Sequence, residues 1–104
     1  MTLDRIILQR LGLIKYLHGV AVEQSLKPEP LNSISILTFH DAVELFLQLS
    51  TEYLDVSKSS GDIHFMEYWN IIDQGLQQKQ RTGRLTQKVS MGKLNKARVG
   101  LKHY

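Results

Sequence analysis

The stretch that most restricts the fold is residues 39–56, FHDAVELFLQLSTEYLDV. Phe39, Val43, Phe46, Leu49 and Tyr53 recur at three- and four-residue steps and form one helical stripe, which Leu45, Leu47 and Leu54 widen. A helix apolar over most of its circumference is central in its bundle or buries a second face in an oligomer. The start is expected between Asn32 and Thr38, with Asn32, Ser33 or a Thr38–Asp41 pair as the cap, and the end near Ser57.

The segments on either side supply helices to pack around it. Leu3, Ile7, Leu11, Ile14, Leu17 and Ala21 share one face of a helix over residues 3–25, capped by Thr2. Both prolines, Pro28 and Pro30, fall in residues 26–32, which must be a connection. KSSGD at 58–62 is a turn, and Asp62 can cap a third helix carrying Phe65, Trp69, Ile72 and Leu76 on one side. That helix frays after Leu76, and RTGR at 81–84 breaks the chain again. Thr86 caps the last helix, whose apolar content is Val89, Met91, Leu94, Ala97 and Leu101. No segment of strand period is longer than a few residues. The expectation is an all-α, up-down helical bundle of about four helices in a single domain spanning residues 1–104. The last helix reaches Tyr104 without a capping glycine, as the N-terminal part of a longer chain would.

Charge divides this domain unevenly. The net charge is +3, yet residues 1–78 hold all ten acidic residues against five basic ones. Residues 79–104 hold eight basic residues and no acid. An acid-free basic segment suits a polyanion, or pairs with the acidic remainder of the fold or across a dimer. Lys88, Lys93, Lys96 and Lys102 are its candidate nucleic-acid contacts. The chain has no cysteine, which removes disulfides, thiolate metal sites and a cysteine nucleophile, and fits a reducing cytoplasm. No apolar run approaches the roughly 18 residues that a membrane span needs, so no membrane partner is expected.

Arg98 and His103 are the candidate catalytic pair. Arg98 is four residues after Leu94 and three before Leu101, inside the apolar stripe. It either snorkels to an acid of the second helix or offers its fork of N–H donors to a phosphate. His103 lies about 140° further round a regular helix, so the two residues flank a groove instead of sharing a face. RNA phosphodiester cleavage needs proton transfer, which an imidazole performs near neutrality, and charge stabilisation, which a guanidinium supplies. Neither requires a metal or another cofactor. His40, Asp41 and Glu44 form a second polar cluster, in which His40 and Glu44 sit one turn apart; two ligands without a third at helical spacing do not define a metal site, and Asp41 reads as an early-turn helix acid. Glu44 is instead expected to support the site by pairing with Arg98 or another base. Tyr68 and Trp69 are able to stack nucleic-acid bases, but Trp69 falls on an apolar stripe, which favours the core.

Arg98 through His103, within NKARVGLKHY, match the Arg-x(4–6)-His motif of the HEPN superfamily, and FHDAVELFLQL resembles an early helix of that family. The chain thus resembles these helical domains of prokaryotic defence and toxin systems over residues 33–104. The resemblance implies a homodimer in which two motifs face each other across a twofold cleft. It also implies metal-independent endoribonuclease activity, with Arg98 holding the phosphate, His103 moving the proton and Glu44 supporting them. An antitoxin or a nucleotidyltransferase is the kind of protein partner such domains have. Many active members carry a polar residue directly after the arginine, where this chain has Val99, and several members bind without cutting. Two alternatives stand beside this reading. One is a non-catalytic helical dimerisation or protein-interaction module built on the broad apolar surface of the second helix. The other is a nucleic-acid-binding domain using the basic C-terminal helix.

Overall fold

A computed structural model describes residues 5–56, 63–79 and 83–102. It is an all-α bundle of four helices: α1 (Arg5–Ser25), α2 (Leu31–Tyr53), α3 (Tyr68–Gln78) and α4 (Lys88–Lys102), with a 3-10 turn at Phe65–Glu67 leading into α3. In keeping with its all-round apolar pattern, α2 is the central helix, contacting α1, α3 and α4. Among the described residues, no helix is long and apolar enough to cross a membrane. The expected caps Thr2 and Asp62 lie outside the described residues.

The start of α2 differs from the sequence expectation for a local reason. The helix begins at Leu31, and none of Asn32, Ser33 or Thr38 caps it. Glu29 does, accepting the Ser33 backbone N–H at 2.7 Å and the Ser33 hydroxyl as well. Asn32 turns back and donates to the Ser25 carbonyl at 2.7 Å, closing the end of α1. Thr38 is a mid-helix residue whose hydroxyl meets Gln24 of α1 at 2.7 Å.

The other end of α2 stops cleanly. Asp55 adopts a left-handed conformation with φ 54°, its N–H reaches the Glu52 carbonyl, and the Val56 N–H reaches the Thr51 carbonyl. This pair of bonds is a Schellman motif, which satisfies carbonyls that a helix end otherwise leaves open. Val56 is thereby turned against α3. An added Cβ at Gly75 would lie 2.4 Å from Val56 Cγ2, so the close approach demands glycine there.

The core is Leu47 of α2 and Leu54, which caps that helix, with Phe65, Tyr68, Trp69 and Ile72. Trp69 is 3 % exposed, as its stripe predicts, and its indole N–H donates to the Thr86 carbonyl at 3.0 Å. Asp73 accepts the Leu85 N–H at 2.8 Å. These two bonds pin the stretch before α4 onto α3 and so set where α4 begins. Burial is lopsided: α1 presents Ile7, Leu11, Ile14 and Leu17 to α2 but fully buries only Ala21, and α4 fully buries nothing. Val89, expected among the apolar contacts of α4, is 77 % exposed because it lies on the outer side of that helix.

Candidate nucleic-acid interface at the seam of α2 and α4

His40, Glu44 and Gln48 recur at four-residue steps, so α2 carries one polar stripe amid its apolar surface. That stripe faces α4 and the start of α3. His40 is 1 % exposed, its ring stacked on Phe65 with centroids 4.1 Å apart and 29° between planes. Its Nε2 is 3.1 Å from Asn95 Oδ1 on α4. A carbonyl oxygen can only accept, so Nε2 carries the hydrogen and donates. Nδ1 is buried and, among the described residues, has no hydrogen-bond partner.

Burial holds the His40 imidazole below the ordinary histidine value, and the Arg98 guanidinium pushes the same way. The bond to Asn95 and the carboxylates of Glu44 and Asp41 act in the opposite direction. The imidazole is therefore neutral at pH 7, the form that burial permits without a paired charge. Burial also raises the Tyr68 phenol above its usual value, a shift that its bond to Gln48 opposes and the Glu44 carboxylate reinforces.

Arg98 is one turn after Asn95 on the same side of α4 and is half-buried. The expected pairing with Glu44 is not made: among the described residues, no carboxylate lies within 4.0 Å of its guanidinium. Glu44 is half-buried one turn from His40. Asp41 joins His40 and Glu44, their potential ligand atoms lying within 4.8 Å of one another. The structure thus brings together the three groups that the sequence placed in one polar cluster, and Arg98 sets a positive charge beside His40.

Lys88, Lys93, Lys96 and Lys102 are all exposed. Their spacing spreads them over about half the circumference of α4, so they form a broad basic surface, not a single line of phosphate contacts. His103 lies outside the described residues. The structure therefore joins Arg98 to a neighbourhood of His40, Glu44, Gln48, Tyr68 and Asn95. Asn95 and Gln48 had a legible signal, a polar side chain at helical spacing inside an apolar stripe. Comparison with protein-family models, curated proteins and solved structures finds no match for this chain.

Proposed function

We propose that the chain is a HEPN-like, metal-independent endoribonuclease, or the RNA-engaging domain of one, in a cytoplasmic defence or toxin system. Arg98 clamps the phosphate and His103 serves as general acid and base. The exposed lysines of α4 hold the flanking backbone, and two copies form the working cleft. An antitoxin or nucleotidyltransferase partner is compatible with this role. The observation that carries the reading is Arg98 itself. A half-buried guanidinium with no carboxylate within 4.0 Å, among the described residues, is short of an anion, and a phosphate supplies one with matching geometry.

The test is incubation of total RNA with wild type, Arg98→Ala and His103→Ala in the presence of chelator. Cleavage by wild type, leaving 2′,3′-cyclic phosphate ends, with loss in both variants, is the expected outcome. Equal traces from all three overturn the catalytic role. Salt-sensitive RNA binding that survives His103→Ala would then identify a nucleic-acid-binding domain without cutting.

A further inference from the structure

α1 packs chiefly on α2, and among the described residues its opposite side is open. Arg5, Gly12, Tyr16, Gly19 and Glu23 fall within about 60° of one another on the helical wheel, directly away from Ile7, Ile14 and Ala21. Tyr16 is 69 % exposed, and Leu8 and Leu13 on the flanks are 53 % and 52 % exposed. Among the described residues, nothing lies within 4 Å of where a Cβ would stand at Gly12 or Gly19. The surface is a shallow groove walled by Lys15, Tyr16, Val20 and Glu23 and floored by the two glycines.

Charge selects the occupant. Arg5 and Glu23 stand near opposite ends of this face, and among the described residues neither has an ion-pair partner. A second α1 laid parallel would set Arg5 on Arg5 and Glu23 on Glu23. Laid antiparallel about the level of Ile14, it sets Arg5 of each copy level with Glu23 of the other. In the same register the projecting Tyr16 ring of each copy lies over Gly12 of the other, where no side chain obstructs it. Leu8 then comes within about 3 Å, along the helix axis, of the level of Val22 in the other copy, on the same flank. One register thus satisfies the charges, the one large projecting ring and the vacant glycine at once. That is the self-complementarity an isologous interface requires.

We infer that the outer face of α1 docks a second copy of this chain, antiparallel, through Arg5–Glu23 ion pairs and a Tyr16-over-Gly12 contact made twice. A contact along a helix about 30 Å long is at the small end of specific interfaces, so weak, concentration-dependent association is expected. It goes beyond the RNA-cleaving reading and does not rest on it. α1 meets the Thr38, Phe39 and Ala42 side of α2, whereas α4 meets the opposite side through His40.

Sedimentation of the full chain over a range of concentrations tests the proposal. The mean mass is expected to rise with concentration in the wild type. Glu23→Arg moves the midpoint about tenfold higher, and Arg5→Glu combined with Glu23→Arg brings it back. All these positions are exposed, so the fold is kept. Because the chain lacks cysteine, disulfide mapping gives the direction. A mixture of Gln9→Cys and Gly19→Cys proteins cross-links between the two variants, while either alone does not. A monomer at every concentration, association indifferent to Glu23→Arg, or self-cross-linking of Gln9→Cys alone overturns it.

Discussion

His40 of α2 and Asn95 of α4 are joined at 3.1 Å across a seam where α4 has no fully buried residue of its own. With so little apolar burial to hold α4, this hydrogen bond contributes to its seating and fixes the side of the helix on which Arg98 emerges. Asn95→Ala would leave both ring nitrogens of His40 buried without partners. A loss of about 1–3 kcal/mol is expected in chemical denaturation. Asn95→Gln should recover part of it.

The same histidine gives the fold a pH dependence. Its folded value lies below the ordinary 6.5, so the unfolded chain takes up the proton first as pH falls. Stability is therefore full above about pH 6.5 and declines as pH drops through that value toward the lower folded one. Thermal unfolding measured between pH 7.5 and 5 should show a falling midpoint. His40→Gln, which cannot titrate, should flatten the decline relative to wild type.

Two glycines in helices should respond with opposite signs. At Gly75, alanine places a methyl against Val56, and a loss of about 1–3 kcal/mol is expected from overpacking. At Gly100 nothing lies within 4 Å, and alanine should add up to about 1 kcal/mol by helix propensity alone. Denaturant titration of both variants separates the effects.

Asp55 ends α2 in the left-handed region, where a side chain is strained and glycine is not. Asp55→Gly should raise stability by roughly 0.5–1 kcal/mol, since the hydrogen bonds of the Schellman motif are made by backbone alone. An unchanged or lowered unfolding midpoint would show that the Asp55 side chain contributes more than its strain costs.

The lysines of α4 are exposed and should matter to RNA but not to folding. Changing Lys88, Lys93, Lys96 and Lys102 together to Gln should shift the unfolding free energy by no more than about 0.5 kcal/mol per site. The slope of RNA affinity against salt should become shallower as phosphate contacts are lost. Fluorescence anisotropy at several salt concentrations measures it.

By itself the sequence determined the helical class, the all-round apolar character of α2 and the apolar stripe that carries Trp69. Each follows from side chains recurring every 3.6 residues, a property of a single segment that needs no knowledge of its neighbours. It also determined the acid-free basic character of residues 79–104, which is plain composition. Tertiary structure alone decided what Arg98 faces, because that depends on how α4 is rotated against α2. Residues 55 apart in the chain, His40 and Asn95, meet there. It likewise decided that Glu29 and not Thr38 caps α2 and that, among the described residues, one side of α1 stays uncovered. Periodicity reports which face of a helix is apolar; only packing shows which other helix, if any, covers it.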